Sequence, residues 1–456
     1  MAHWLAEDIV QKPNIIVMTT HDTGRHLGCY GVPSVHSPHI DRFAADGVRF
    51  AQSFCNAPQC SPSRAALFTG RYPHSNGVMG LTHYPFYWDL HDSERHLADR
   101  LKAVGYRTAV MGHAHESRTI AERGFRDVLR PGPNADARVD AALSYIDSAG
   151  DEPFFLEVNH FETHRARIGF GSPPDVEDGV YVPPYLQDTV EAREDFALFQ
   201  GSVRAYDAAV GRLLEGLAAR GRAESTFVVL TTDHGIPFPR AKCSLYDPGL
   251  EAYLLMRWPE GGIDGGRVIE SPVTHVDFVP TILALLGISG DDTIQGTSYA
   301  DLLRGDRSAG AAAEERPVFG EMTYHDYCDP RRCVRTARHK LIVNFTTAHE
   351  FMDPSQSWHR KTITKSPEHP PYAYHEPVEL YDLTKDPWEA QNVAGVPEYA
   401  QVRRDLLQRL HTFLVETEDP ILEGVPKSPM HSFAMQAFAG AEGFPFDRTI
   451  DHSWMR

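Results

Sequence analysis

Pro13-Asn14-Ile15-Ile16-Val17-Met18-Thr19-Thr20 is an apolar, β-branched run that stops abruptly at the polar stretch His21-Asp22-Thr23-Gly24. Such a run reads as a strand buried on both faces that delivers polar groups at its carboxyl end. The same grammar recurs. Tyr106-Arg107-Thr108-Ala109-Val110-Met111 runs into Gly112-His113-Ala114-His115, and Pro153-Phe154-Phe155-Leu156-Glu157-Val158 runs into Asn159-His160-Phe161-Glu162-Thr163-His164. Ser225 to Thr232 then runs into Asp233-His234-Gly235.

Helical patterns separate these runs: Ile40 to Asp46, Ser93 to Val104, Ala135 to Ser148, and Arg193 to Arg220, where Phe196, Phe199, Val203, Val210 and Leu214 recur near helical spacing. Alternation of strands and helices predicts an α/β fold, a mostly parallel sheet with helices on both faces. Ligands bind such sheets beyond the carboxyl ends of the strands. The polar clusters fall there. The small, polar stretch from Gly305 to Glu315 predicts a boundary, giving a larger domain over 1–315 and a smaller α+β domain over 316–456. In the latter, Cys333 to Thr336 and Lys340 to Phe345 read as paired strands, and Glu398 to Thr417 as one long amphipathic helix behind Pro397. A long His- and Pro-rich loop spans Phe351 to Pro377.

The 456 residues are 42% hydrophobic and 23% charged, a globular balance, and 44 Lys plus Arg against 62 Asp plus Glu give a net charge of −18. That field repels nucleic-acid phosphates and anionic membranes, so neither is an expected partner. The longest nearly apolar stretch, Phe278 to Ile288, is far shorter than the ~18 residues a membrane helix needs. Met1 to Gln11 carries no secretory pattern, and a cytoplasmic location is expected. The six cysteines form no Cys-x-x-Cys pair and no disulfide framework, which leaves room for one of them to be chemical.

The most informative string is Cys60-Ser61-Pro62-Ser63-Arg64-Ala65-Ala66-Leu67-Phe68-Thr69-Gly70-Arg71. Pro62 and Ser63 suit a first helical turn, which sets Cys60 at a helix N-terminus whose amides favour an anion, with Arg64 one turn inside.

Cys60-Ser61-Pro62-Ser63-Arg64, with its following Thr69-Gly70-Arg71, resembles the signature of the type I, formylglycine-dependent sulfatases. Gly28-Cys29-Tyr30-Gly31, Thr274 to Thr281 and Glu379 to Pro387 are similar to further segments of that family, so the likeness covers most of residues 13 to 415. The resemblance implies an alkaline-phosphatase-like fold and a Cys60 oxidised to formylglycine by a formylglycine-generating enzyme. One hydroxyl of the hydrated aldehyde would attack sulfur, and the other would expel sulfate from the intermediate. It also implies one divalent metal, calcium first. Its expected ligands are Asp22, Asp233, His234 and the Cys60-derived group, with His21, which stands where the family generally has an aspartate, as a weaker one. Imidazole donors make manganese or a similar ion the alternative.

By the same resemblance, His115 would hydrogen-bond the formylglycine hydrate, His164 would serve as acid for the leaving atom, and Lys242 would bridge sulfate and nucleophile. Arg64 completes the implied catalytic set. His113 replaces a lysine that meets sulfate and is expected, with His160, on the substrate side. Ile236-Pro237-Phe238-Pro239 and Leu245 to Gly249 look most like the heparan N-sulfatase branch, which implies a small sulfated sugar cleaved at a sulfamate N–S bond. An arylsulfatase or carbohydrate O-sulfatase, a phosphonate or phosphate diester hydrolase of the same superfamily, and a catalytically silent binding protein are the alternatives. Trp358, His359, Arg360, Lys361 and Tyr372 are candidates to select the sugar, and the Phe433 to Phe446 tail to cover the cleft or a neighbouring subunit.

Overall fold

Strand β1 (Asn14–Thr20) is buried along its whole length and pairs in parallel on both sides, with β6 (Phe154–Asn159) and β7 (Thr226–Thr232). Those two contacts make it central to the sheet, as its unbroken apolar reading requires. The structure, a computed structural model, describes residues 12–165, 169–306, 315–349 and 374–440. Around β1 the sheet adds β2 (Val48–Phe50), β4 (Arg107–Gly112), β5 (Asp127–Leu129), β8 (Leu254–Arg257) and β9 (Arg267–Ile269). The eight strands run β5-β4-β6-β1-β7-β8-β2-β9, parallel except where β8 pairs antiparallel with β7 and β2.

Alternation along the strands divides the core. Ile16 and Met18 of β1, Phe154, Leu156 and Val158 of β6 and Val228 and Leu230 of β7 point to one face. Helices α1 (Pro38–Asp46), α5 (Ala135–Ala149) and α6 (Val190–Ala219) cover it. Ile15, Val17, Phe155, Phe227 and Val229 point to the other face. There they meet α2 (Cys60–Thr69), α4 (Leu97–Ala103) and the apolar helix Phe278–Leu285. The pattern predicted a helix from Ser93, but α4 starts at Leu97. His96 stops it there by accepting the Ala98 N–H on Nδ1 at 3.0 Å, a capping role that needs a non-helical backbone.

A second, antiparallel sheet of β11 (Val318–Tyr324), β12 (Cys328–Arg335), β13 (His339–Asn344) and β14 (Val378–Asp382) follows. One face packs Leu406, Leu410 and Leu414 of the helix Ala400–Glu416 against Val334, Leu341 and Leu380. The other packs Val318, Met322, Cys333 and Ile342 against Phe54, Cys243 and Tyr246 of the larger unit. A two-residue parallel pairing, β3 (Ser53–Phe54) with β10 (Val273–Thr274), completes the strands described. Among the described residues no helix is long and apolar enough to cross a membrane. The sugar-selecting candidates Trp358, His359, Arg360, Lys361 and Tyr372 lie outside the described residues, as does the tail beyond Gly440.

Candidate active site

Cys60 opens α2, whose ten residues are all buried, and it is itself 2% exposed. Gln59 ahead of it is extended, which makes Cys60 the first helical residue. Three side chains converge on the same spot. Cys60 Sγ lies 3.5 Å from His234 Nε2 and 4.0 Å from Asp22 Oδ1, while Lys242 Nζ bonds Asp22 Oδ2 at 2.8 Å and Oδ1 at 3.0 Å. His164 Nε2 stands 3.3 Å from Lys242 Nζ and 4.0 Å from Asp22 Oδ2. His21, Asp22, Cys60 and Asp233 each present one donor atom within 4.8 Å of the others.

The backbone is bent to achieve this. Asp22 has φ +52°, and Lys242 sits between Arg240 and Cys243 at φ +63° and +61°. Non-glycine residues in that left-handed region carry strain that the surroundings must hold, and it is concentrated here where side chains are aimed at one point. Gly112, at φ +80°, lets β4 close on β6, because a Cβ there would collide with the Asn159 carbonyl.

Burial opposes ionisation of both aspartates, but the Lys242 ammonium holds the Asp22 carboxyl below its usual range, and the Arg64 guanidinium helps hold Asp233 well below it. Burial also works against the Lys242 ammonium, and Asp22 overcomes it, so the lysine stays charged. The Cys60 thiol is pushed up to about 12, chiefly by burial and then by the two aspartates against the opposing pull of Lys242. Imidazoles are driven the other way. Burial takes His21 down to about 4 and lowers His234, and it carries His113, His115 and His164 well below the ordinary value, Lys242 adding to the effect on His164.

The hydrogen bonds identify the tautomers. His234 Nδ1 lies 3.0 Å from the Gly235 carbonyl, which only accepts, so Nδ1 carries the hydrogen and Nε2 turns its lone pair toward Asp22 and Cys60. His21 Nδ1 lies 2.9 Å from Asp233 Oδ2 without hydrogen-bond alignment, so both of its ring nitrogens are buried without a hydrogen-bond partner. Lone pairs from imidazole and carboxylate facing one another are unfavourable unless a cation lies between them. The residues present therefore fit a divalent ion of mixed oxygen and nitrogen coordination.

Arg64, expected among the catalytic residues, is turned elsewhere. It is fully buried, and its guanidinium bonds Asp233 Oδ2 at 3.2 Å, Thr19 Oγ1 at 2.8 Å, Asn159 Oδ1 at 2.7 Å and the Thr20 carbonyl at 2.9 Å. It ties α2 to the ends of β1, β6 and β7 and so positions Asp233. His160 is also corrected: fully buried, it packs edge-on against Tyr206 of α6 at 5.0 Å, on the face of the sheet opposite α2. Period-two alternation places it with Phe154, Leu156 and Val158, while Asn159 points to the site.

His113 and His115 sit beside the cluster, with ring centroids 5.3 and 6.4 Å from His21. His115 Nε2 is 2.8 Å from His83 Nδ1, a partner that the sequence pattern did not expose. Both line a cavity of about 610 Å³ that opens beyond β4 and β5 and is also walled by Tyr84, Tyr87, Arg118 and Arg130. Phe433, on the helix Pro429–Phe438, meets Tyr87 edge-on at 5.4 Å, so the start of the C-terminal tail reaches this wall.

The sulfatase family model matches residues 13–288, and that for the C-terminal part of N-sulphoglucosamine sulphohydrolase matches residues 239–362. Human N-sulphoglucosamine sulphohydrolase is 30% identical over an alignment 458 residues long that covers 89% of this chain and 91% of the human protein. A solved 2-O glycosaminoglycan sulfatase superposes with a TM-score of 0.70 at 21% identity, over 92% of this chain and 95% of its own. A structure in complex with its substrate, D-glucosamine-2-N,6-O-disulfate, superposes with a TM-score of 0.66 at 18% identity, over 90% of this chain and 99% of its own. The mostly parallel sheet between helices, followed by a small antiparallel sheet, is the architecture these structures share with this chain.

Proposed function

The chain belongs to the sulfatase family, and from that premise we propose that it hydrolyses the sulfate ester or sulfamate of a small carbohydrate, an N-sulfoglucosamine-like sugar being favoured, through a formylglycine made from Cys60. The observation that carries this reading is the convergence of Cys60 with Asp22, His234 and Lys242 at the N-terminus of α2. Formylglycine, as its hydrate, supplies one hydroxyl for attack on sulfur and a second for release of sulfate. A divalent cation held by Asp22, Asp233, His234 and the Cys60-derived group would polarise the sulfuryl oxygens. The imidazole lone pair of His234 favours manganese or a similar ion over calcium as that cation.

The remaining residues do the work of binding and proton transfer. Lys242, charged and 2.8 Å from Asp22, offers its other hydrogens to a sulfuryl oxygen. The α2 amides add positive potential from the opposite side. His164 is neutral beside Lys242, and an incoming sulfuryl anion favours its protonated form, from which it donates to the leaving nitrogen or oxygen. His115, backed by His83 at 2.8 Å, takes a proton from the second hydroxyl.

Peptide mass spectrometry on the fragment holding Cys60, from protein made with and without a formylglycine-generating enzyme, tests the reading alongside release of free sulfate from N-sulfoglucosamine. Activity should track the converted fraction. The Asp233-His234 pair also suits a phosphonate or phosphate diester hydrolase, and turnover of a phosphodiester by protein with unconverted Cys60 would favour that second reading.

A further inference from the structure

The cavity beyond β4 and β5 carries only one sign of charge. Its lining includes Arg118, Arg130 and Arg138 with His83, His113 and His115, and no carboxylate among the described residues, in a chain whose acidic side chains outnumber the basic by 62 to 44. Arg138 is the inner member. Its side chain is 6% exposed, its NH1 pairs with Glu162 at 3.3 Å, and its Nε is buried with no hydrogen-bond partner. Arg118 lies with its guanidinium 4.7 Å over the Tyr87 ring, which holds a long side chain in one orientation at the rim. Arg130 is exposed at the end of β5.

The floor is of a different kind, built from Val110, Ile120, Val128 and Leu129. Apolar patches beside fixed donors are what the faces and edges of a sugar ring meet. At about 610 Å³ the cavity falls in the range, ~300–1,000 Å³, that encloses ligands larger than one ring. It meets the catalytic cluster through His113 and His115, so whatever fills it is joined to the group being cleaved.

We propose that this cavity binds a second oxyanion of the substrate, a carboxylate or sulfate, with Arg118 and Arg130 as the specificity-determining residues and Arg138 as the buried anchor. The inference rests on the sulfatase reading for the chemistry next door, but not for the binding itself. Guanidinium groups match carboxylate and sulfate oxygens with paired N–H donors, and the aromatic and apolar walls raise the strength of those bonds by excluding water.

The test is calorimetry on the full chain carrying Cys60→Ala, which binds without turnover. The probes are N-sulfoglucosamine, glucosamine-2-N,6-O-disulfate, and a disaccharide joining a uronic acid to N-sulfoglucosamine. At low salt at least one of the two probes with a second anion should bind about tenfold tighter than N-sulfoglucosamine. Preference for the disulfate places the anion on the same ring, and preference for the disaccharide places it on the neighbour. Adding Arg118→Ala and Arg130→Ala should erase the preference and leave the N-sulfoglucosamine affinity within about twofold. Arg130→Gln alone should reduce the preference if the double variant does not fold. Equal binding of all three probes, no binding of any, or a preference that survives the arginine changes overturns the proposal. Failure of the wild-type chain to release sulfate would count against the sulfatase reading alone, since the calorimetry does not depend on it.

Discussion

Nε2 of His234 stands 3.1 Å from Oδ1 of Asp22, and both atoms present lone pairs. The Gly235 carbonyl claims the ring hydrogen on Nδ1, and burial keeps the imidazole neutral. A cation between them removes the conflict. We therefore expect the purified protein to hold about one equivalent of a divalent metal, and Mn2+ to restore the melting temperature of chelator-treated protein at lower concentration than Ca2+. His234→Asn, which replaces the imidazole with an amide oxygen, should weaken Mn2+ by at least about tenfold and bring Ca2+ level with it. Elemental analysis and metal titrations followed by thermal unfolding decide this. Tighter Ca2+ binding by the wild-type chain would show that His234 is not a ligand.

Arg64 is the strut behind the same cation site. Removing its charge leaves Asp233 buried with one fewer partner, and breaking a buried ion pair typically costs ~3–5 kcal/mol. Arg64→Ala should lower stability by about that amount. Arg64→Lys keeps a charge but cannot reach Asp233, Thr19, Asn159 and the Thr20 carbonyl at once. It should fold, bind metal less tightly and lose most of its kcat with a smaller change in KM. An Arg64→Lys protein with unaltered metal affinity would refute the positioning role.

The strand-to-polar-end grammar was enough to place Asp22, His115, His164, Asp233 and His234 at one edge of a sheet, because each belongs to the segment that its own strand delivers. His160 lay on the wrong side for a reason the sequence also contains: one residue after Asn159, it takes the opposite face of β6. The Arg64–Asn159 bond and the His83–His115 pair were not legible, since each joins segments whose contact exists only after the chain has folded. The cavity arginines were hidden similarly, scattered over two loops and the start of α5.

The Cys60 thiol, held near 12 by burial and the two aspartates, is almost wholly protonated at neutral pH. At pH 8 its thiolate fraction is on the order of 10⁻⁴. Partial burial raises the Cys328 thiol too, but Cys328 is exposed, so iodoacetamide should modify it in native protein well before unconverted Cys60. Quantitative peptide mapping reads the ratio. Rapid labelling of Cys60 would mean that it ionises easily and that an unconverted chain is itself a nucleophile.

Buried neutral histidines make the fold sensitive to acid. His26 is 4% exposed among the rings of Tyr181, Phe196 and Phe199, and burial lowers it from 6.5 to about 3. Above pH 6.5 neither state binds the proton and the full stability is present. As pH falls below 6.5 the unfolded chain takes up a proton that the folded one refuses, so stability is lost progressively until about pH 3. From this residue alone the loss at pH 5 is ~2 kcal/mol, at 1.36 kcal/mol per unit. His26→Asn should be less stable at pH 8 yet show a shallower decline in unfolding free energy between pH 6.5 and 5. An unchanged slope would place the acid sensitivity elsewhere.

His96, Glu116 and Glu157 form a fully buried triad between α4 and β6, with His96 Nε2 3.7 Å from a carboxyl oxygen of each. Three such groups resemble a metal site, but the cap on α4 argues otherwise. Nδ1 accepts the Ala98 N–H, so Nε2 carries the hydrogen and has no lone pair to give. The two acids must then share a proton. Burial and the charge of Glu116 raise Glu157 well above its ordinary value, while burial of Glu116 is outweighed by its contact with His96. Glu157 is accordingly the neutral acid, and its Oε1 accepts from Asn159 Nδ2 at 2.6 Å, behind the Asn159 oxygen that holds Arg64. Glu157→Gln preserves shape, charge and that acceptor, and should cost less than ~1 kcal/mol. Glu116→Gln removes the one carboxylate facing Nε2–H and should cost ~1–3 kcal/mol. Denaturant unfolding of the two variants at pH 7 measures the difference, and a Glu157→Gln protein destabilised as much as Glu116→Gln would mean that the proton resides on Glu116 instead.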